Sequence, residues 1–357
     1  ILWKPLFSDG VIINYAYRTF RWDSEASSKA QVHCIIIGFS HMDDKKKYII
    51  DESGKKIIVN HINAYLVNAA DVFVESRRNP ICNVQHMFLG CDFKDDNNYI
   101  FTEEEKNEFL KKEPLAEKYI KKYINAKELI NRKPRYCLWL VNANPKDIHN
   151  MPLVLERIQK VKEFRENSNS DDTKRYAEFS MRPARLRYYS EPRTTKALGL
   201  PRISSQTRRY LPMEMFDENT IGGASILMIP EATLYTFAIL SSNVHMAWMR
   251  AVCGRMKSDY RYANGIVYNT FPWPKASIEQ MKKIEKTAQE ILNARALFPD
   301  STLADLYDPL TMPSELRKAH RKNDTEVMKA YGFSIKNTSE ADCVANLMEM
   351  YQELSSK

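Results

Sequence analysis

Two charged residues in the tract Gly254–Tyr262, Lys257 and Asp259, have the chemistry needed to read a base pair. A lysine ammonium donates well to guanine O6 and N7, and a carboxylate accepts from the cytosine amine. If this tract is an extended loop, the two side chains lie two positions apart and would together read one G·C pair. A local salt-bridged turn explains the same pattern equally well.

Positive charge is concentrated in the stretch Arg157–Arg209, which has fourteen Lys or Arg residues against six Asp or Glu. This surplus of eight equals the formal net charge of +8 of the whole chain. Short polar donors are interleaved with the arginines, as in a groove that binds nucleic-acid phosphates. A solvated basic face is the alternative, although surfaces usually intersperse both signs of charge. The tract contains Arg182, Arg185, Arg187, Arg193, Lys196, Arg202, Arg208 and Arg209 among Tyr188, Tyr189, Thr194, Thr195, Ser204, Ser205, Gln206, Thr207 and Tyr210.

The sequence contains no motif for cofactor binding or catalysis. Its ten glycines are scattered apart from Gly222–Gly223, so no glycine-rich turn is predicted to seat an adenosyl cofactor. Asn79–Cys82 and Asn144–Asp147 lack the second proline and the aromatic residue with which amino-methyltransferases hold a flipped base. Cys82, His86 and Cys91 offer only three zinc ligands, and their spacing matches no common zinc site.

Three segments of an α/β (mixed α+β) protein are predicted to position these residues. In residues 1–75, the apolar runs Val11–Tyr15, Val32–Phe39 and Ile57–Val59 predict strands, too few for a complete sheet, with an exposed turn at Asp43–Lys47.

Residues 76–275 are predicted to form a mixed domain, in which Thr102 and Glu105 form a capping box before a helix. Its further elements are strands at Tyr136–Val141 and Ser225–Ile229, a helix at Pro152–Glu166, and a helix at Ser242–Gly254 whose glycine is the C-cap. Residues 276–357 are predicted to be helical, with a capping pair at Ser277 and Gln280 and further helices at 314–320, 325–331 and 340–351.

The composition, with 44% hydrophobic and 27% charged residues, is typical of two or three globular domains. No apolar run is long enough for a membrane helix, and no charged leader precedes a short apolar segment as in a signal peptide, so a cytoplasmic protein without a membrane partner is predicted. The six scattered cysteines predict reduced, mostly buried thiols. Ile1 opens an apolar pattern without an initiator methionine, which suggests a piece of a longer protein.

A long ordered series of motifs resembles the target-recognition region of MmeI-like enzymes, a family of fused restriction and modification proteins. The motifs are Tyr17–Ala26, Val32–Phe39, Tyr136–Leu140, Leu200–Pro212, Ser225–Tyr235, His245–Tyr262 and Tyr268–Pro274. The resemblance implies that residues 1–75 are the last strands of a methyltransferase domain, 76–275 a target-recognition domain and 276–357 a helical C-terminal domain.

The resemblance also implies what the parent protein does. Such proteins methylate adenine at N6 in a short double-stranded DNA site with S-adenosylmethionine, and some cleave DNA, for which Mg²⁺ is expected. The nuclease, the cofactor loop and the base-gripping motif are expected upstream of Ile1. The chain alone is therefore predicted to be inactive, with the upstream methyltransferase and nuclease domains of the same polypeptide as its partners.

Carried over residue by residue, the resemblance places DNA contacts in three loops. Lys257 with Asp259 would read a G·C pair, and Arg261 a neighbouring position or a phosphate. The other contacts are Ala224 and Ser225 in one loop, Ser204, Ser205, Gln206 and Arg208 in another, and Arg202, Arg208 and Arg209 on the DNA backbone.

Two other functions stay open from the sequence. The basic tract and the C-terminal helices would also suit a protein-interaction module that docks onto the missing domains. An enzyme acting by itself would have to bind the cofactor in isolation, against which the absent glycine loop argues.

Overall fold

The computed structural model describes residues 2–23, 31–44, 46–51, 53–186 and 196–356. In its described residues, the first segment has one helix and four strands: α1 (Trp3–Ser8), β1 (Ile12–Asp23), β2 (Gln31–Ser40), β3 (Lys47–Ile50) and β4 (Lys56–Val59). They form a sheet of order β2-β1-β3-β4, in which β1 is antiparallel to β2 and parallel to β3. A small core formed by Ile13, Ala16, Ile49, Val59, Ile62 and Leu66 lies against it.

Strand β3 was not predicted, and the exposed turn predicted up to Lys47 is wrong at its last residue. Lys47 is only 4% exposed, because it opens β3. Its ammonium group bonds to the Asp43 carboxylate and donates to the carbonyl of Asn60 at 3.4 Å. A buried lysine whose ammonium group has two hydrogen-bond partners can occupy a strand position that its type alone does not indicate.

The middle segment contains eleven short strands and seven helices among the described residues. In order they are β5 (Phe88–Leu89), β6 (Ile100–Phe101), α2 (Glu103–Lys112), β7 (Ile120–Ile124), α3 (Ala126–Asn131), β8 (Arg135–Leu138), α4 (Pro145–His149), α5 (Pro152–Glu166), α6 (Asp171–Lys174), β9 (Ala197–Pro201), β10 (Ile203–Ser204), β11 (Glu214–Phe216), β12 (Thr220–Gly222), β13 (Ile226–Pro230), α7 (Leu234–Leu240), α8 (Asn243–Val252), β14 (Gly254–Met256) and β15 (Asp259–Arg261). The strands form three sheets, of order β11-β9-β13-β5, β12-β7-β8-β6 and β10-β15-β14.

Local signals located several of these elements, and the mixed α/β class is confirmed. The capping box before α2 is present, and α5 has the predicted bounds. The C-cap predicted at Gly254 is wrong: α8 ends at Val252, Cys253 is extended, and Gly254 opens β14. The predicted strand Tyr136–Val141 is shorter at its far end, since β8 stops at Leu138.

The last segment is helical, as predicted, with α9 (Ile278–Ala296), α10 (Leu303–Leu306), α11 (Ser314–Ala330) and α12 (Glu340–Ser355). The capping box of Ser277 and Gln280 is confirmed. The two helices predicted at 314–320 and 325–331 are one continuous helix, α11. Within the described ranges, no helix has the length and apolarity to cross a bilayer.

One hydrophobic core extends from Val67 to Tyr351 and includes residues of both the middle and the last segment. The N-terminal sheet has its own separate core. The middle and last segments are therefore packed as a single unit, and any surface formed by the middle strands is supported by the C-terminal helices.

Candidate nucleic-acid interface

The small sheet β10-β15-β14 joins two stretches of sequence that were predicted separately to bind nucleic acid. Ile203 on β10 pairs with Arg261 on β15, and Met256 on β14 pairs with Asp259 on β15. The end of the basic tract and the tract Gly254–Tyr262 thus become neighbouring strands of one sheet.

The two faces of this sheet differ. Side chains alternate along a strand, so Asp259 and Arg261 share one face, which also carries the exposed Ile203 and Met256. Tyr260 and Ser204 point to the other face and are buried, with Ser204 only 3% exposed. Of the predicted contact residues, Ser204 therefore lies on the supporting face of the sheet.

Lys257 lies in the two-residue turn between β14 and β15, which corrects the expectation of an extended loop. Its φ of 55° is in the left-handed region, and its side chain is exposed at the tip of the hairpin. Arg255 closes the turn by donating from Nη1 to the carbonyl of Ser258 at 2.8 Å, and its guanidinium lies 4.5 Å from the ring of Tyr260. The structure therefore presents Lys257 from a constrained turn.

Asp259 connects the hairpin to the loop that follows β10. Its Oδ1 accepts a hydrogen bond from the backbone N–H of Gln206 at 3.3 Å. Burial lowers the pKa of Arg208, while the charges of Asp259 and Asp308 oppose that shift. An arginine stays protonated under these conditions, so Arg208 supplies a fixed positive charge beside Asp259.

A pocket of about 370 Å³ opens beside the outer face of the sheet. The backbone of Arg202 joins two neighbouring segments at this pocket. The N–H of Arg202 donates to the carbonyl of Ser225 at 3.0 Å, and the carbonyl of Arg202 accepts from the N–H of Tyr262 at 2.7 Å. Four of the predicted contact residues meet here. The lining residues are Asn125, Ala126, Arg202, Ile203, Ala224, Ser225, Met256 and Arg261.

Asn125, which was not predicted, fixes the loop that carries Ala224 and Ser225. Its Oδ1 accepts from the Ser225 hydroxyl at 2.8 Å, and that hydroxyl accepts from the N–H of Ala126 at 2.8 Å. A Cβ at Gly223 would lie 2.3 Å from the same Oδ1, so this approach requires glycine. The capping box of Asn125 and Glu128 was the available signal, but it indicates only where α3 begins.

Gln206 and Arg209 face a second, larger cleft of about 680 Å³, so the structure divides the predicted residues between two sides of the hairpin. Arg209 lies 5.5 Å from the ring of Tyr210. The cleft lies between all three segments of the chain, and is lined by Arg18, Asp51, Ser53, Gln206, Arg209, Asn243, Val244, Ala247, Arg250, Tyr260, Met328, Thr338, Ser339, Glu340 and Cys343.

Much of the basic tract has a structural role. Arg165 is fully buried and donates to five backbone carbonyls. Arg157 lies over the ring of Phe101, and Arg185 is paired with Asp172. Arg187, Tyr188, Tyr189, Arg193, Thr194 and Thr195 lie outside the described residues.

The alternative chemistries find little support. Among the described residues, no three His, Cys, Asp or Glu side chains are grouped to hold a metal ion, which includes Cys82, His86 and Cys91. Cys91, Cys137 and Cys343 are buried, whereas Cys34, Cys82 and Cys253 are partly exposed, so the prediction of mostly buried thiols holds for half of them. His245 is buried within the core, and burial lowers its pKa to about 3, so it is neutral.

Comparison with known proteins matches the chain to three consecutive families. They are "MmeI, DNA-methyltransferase domain" over residues 1–51, "MmeI, target recognition domain" over 68–275 and "MmeI, C-terminal domain" over 276–357. DNA methyltransferase A of Bacillus subtilis (strain 168) is 38% identical over 358 residues, which cover 100% of this chain and 40% of the relative.

A solved structure is also similar to the whole chain. It is that of the Type IIL restriction-modification enzyme MmeI in complex with DNA, with a TM-score of 0.88 and 42% sequence identity. The match covers 100% of this chain and 48% of that chain. The sequence therefore spans less than half the length of both relatives.

Proposed function

This chain belongs to the MmeI family, and we propose that it recognises a short sequence in double-stranded DNA for an adenine-N6 methyltransferase of restriction-modification type. Its partners are then double-stranded DNA and the methyltransferase and nuclease domains of the same polypeptide. The target-recognition match over residues 68–275 supports this proposal, as does the DNA-bound state of the similar solved structure.

The observation that carries the proposal is the convergence of distant segments at one small sheet. Arg202, Ala224, Ser225 and Arg261 line the same pocket although they come from separate stretches of the chain. Cationic, amide and apolar groups at one opening are the chemistry that contacts phosphates and base edges.

Each predicted contact then takes a role from its position. Lys257 at the hairpin tip donates to guanine, and Asp259 accepts from cytosine. Arg261 reads a neighbouring position, while Arg202, Arg208 and Arg209 hold phosphates, together with the polar side chains of Ser205 and Gln206. Ser204 acts from the buried face by supporting β10.

S-adenosylmethionine is proposed for the whole protein, and the described residues do not fit a site for it. Within the first segment, no glycine-rich turn leads from β1, β2, β3 or β4 into a helix in the described ranges. Gly10 and Gly54, with φ of 81° and 82°, lie in turns that end α1 and join β3 to β4. We assign no chemical step to this chain and expect it to be inactive alone.

Selection from a pool of random duplex DNA at two salt concentrations, followed by sequencing of the retained duplexes, tests the proposal. The expected result is an enriched motif containing a fixed G·C pair. Lys257→Ala should reduce affinity by about 1–3 kcal/mol for that motif only. Lys318→Ala removes an exposed lysine from α11, away from the sheet, and should leave the preference unchanged. Equal loss for every sequence with Lys257→Ala would refute base reading.

A protein-docking role is the second candidate, favoured by apolar side chains that are exposed in the C-terminal segment, at Ile278, Leu297 and Leu310. Salt dependence separates the two roles. Contacts to phosphates lower log affinity by roughly 0.9 per phosphate for each unit of log salt, whereas apolar docking is nearly independent of salt.

A further inference from the structure

The stretch Arg209–Met213, which follows the loop after β10, is held directly by α9 and α11, and by α12 through Arg250 of α8. Arg295 on α9 donates to the carbonyl of Met213 at 2.7 Å. Arg250 donates to the carbonyl of Arg209 at 3.3 Å, and pairs with Glu340 on α12 at 2.9 Å. Helix α11 supplies the third set of contacts, to Tyr210.

Tyr210 is the central point of this attachment. Its ring stacks on that of His320, with centroids 4.1 Å apart, and its hydroxyl donates to Asp324 Oδ2 at 2.7 Å. Tyr210 is 1% exposed and Asp324 6% exposed. Both side chains therefore have a fixed environment next to the predicted DNA contacts Arg208 and Arg209.

Asp324 also holds the second half of the small sheet β10-β15-β14, here called the recognition sheet. Its other oxygen, Oδ1, accepts from the backbone N–H of Asn243 at 2.8 Å. Asn243 is the first residue of α8, and the hairpin β14–β15 begins two residues after that helix ends. One carboxylate from α11 thus fixes the segment that follows β10 and the helix that leads into β14.

We propose that the C-terminal helices hold the recognition sheet in its reading geometry, with Asp324 as the positioning residue that sets β10 relative to the hairpin β14–β15. The expected effect of Asp324 on DNA binding rests on the proposed function. Its expected effect on the geometry of the sheet does not. Asp324 touches no DNA and acts through Tyr210 and Asn243.

Asp324→Leu and Tyr210→Phe test the proposal in the full chain. Leucine has no hydrogen-bond acceptor, so Asp324→Leu loses both bonds, while Tyr210→Phe loses only the hydroxyl and keeps the stacked ring. Thr287→Val is the matched control, because it removes a buried bond to the neighbouring Asn323 at 2.9 Å that does not reach the sheet.

The first readout is amide hydrogen exchange followed by mass spectrometry. Peptides covering 203–210 and 254–261 should exchange faster in both variants, with the α9 peptide unchanged, and Thr287→Val should not accelerate the sheet peptides. Unchanged exchange of the sheet peptides in both variants would overturn the inference whether or not the chain binds DNA.

The second readout is the ratio of affinities for the selected duplex and for a scrambled duplex. Both variants should lower this ratio about tenfold, which corresponds to 1.4 kcal/mol, while the salt dependence of binding stays as in the wild type. A lower melting temperature with an unchanged ratio would reduce Asp324 to a stabilising role. A wild-type chain without any sequence preference would instead refute the proposed function.

Discussion

Replacing Asp324 should change how the stability of the protein depends on pH. Burial raises the pKa of this carboxyl group from 3.8 to about 6, and the bonds from Tyr210 and Asn243 and the charge of Arg209 only partly offset that rise. The neighbouring His320 is neutral, since burial lowers its pKa well below the usual range. A group whose pKa is higher in the folded state stabilises the fold when protonated, and this contribution is lost as the pH rises through the folded pKa.

The size of the effect follows from the shift. About two pKa units correspond to roughly 3 kcal/mol. Because asparagine does not titrate, the difference in unfolding free energy between wild type and Asp324→Asn isolates this group. At about pH 4 the unfolded carboxyl group is already partly ionised, so urea unfolding at about pH 4 and about pH 7 should show the wild type losing roughly 2.4 kcal/mol relative to the variant as pH rises. A wild type that keeps its stability relative to the variant, or gains stability, as the pH rises would refute the buried-carboxyl reasoning.

Two further substitutions, each paired with a control substitution, have defined outcomes. Gly223→Ala places a Cβ 2.3 Å from Asn125 Oδ1 and should lower the unfolding free energy by about 1–3 kcal/mol. Gly254→Ala, its control, meets nothing within 4 Å and should change the unfolding free energy by less than about 0.5 kcal/mol. Urea unfolding measures both values. Arg165→Met leaves backbone carbonyls without their buried donor and should lower the unfolding free energy by at least about 3 kcal/mol, while Lys160→Ala, from an exposed pair, should lower it by less than about 0.5 kcal/mol. Near-equal melting curves for the Arg165 and Lys160 variants would contradict the second prediction.

Elements that depend on local chemistry could be predicted from the sequence. Thr102 and Glu105 exchange side-chain and backbone hydrogen bonds at 3.2 Å and 2.7 Å, and both partners lie within one helical turn. Proline at position 152 begins α5 for an equally local reason, since the first turn needs no donor from it. The helices after Ser277 follow from their apolar periodicity.

Elements that depend on distant contacts could not be predicted. Gly254 suited a helix C-cap by type, but pairing with Arg261 draws it into a strand. The left-handed conformation of Lys257 follows from hairpin closure, whereas its residue type gives no hint of it. In the sequence, Arg165 was counted as part of the basic tract. In the folded chain, its guanidinium group donates to five backbone carbonyls.

The support of the candidate interface could not be predicted from the sequence, whereas its contact residues stay predictions. Sequence patterns indicated that Arg202 and Arg261 lie near nucleic acid, because their types suit phosphates and bases. Nothing in those patterns placed Asn125 beside Ser225, since the two are joined only by the folded chain. A residue that positions another one is recognised by the residues it bonds to, and these residues are known only from the folded structure.

The small size of the recognition sheet explains why such support is needed. Strand β10 has two residues and β14 and β15 have three each, so few hydrogen bonds fix their arrangement. The buried face must then be set by packing, while Lys257 and Asp259 project from the opposite side. Substitution of Lys257 should alter the preferred DNA sequence with little change in stability. Substitutions behind the sheet, at Tyr210 or Asp324, should alter both, because they move the surface that carries the proposed contacts.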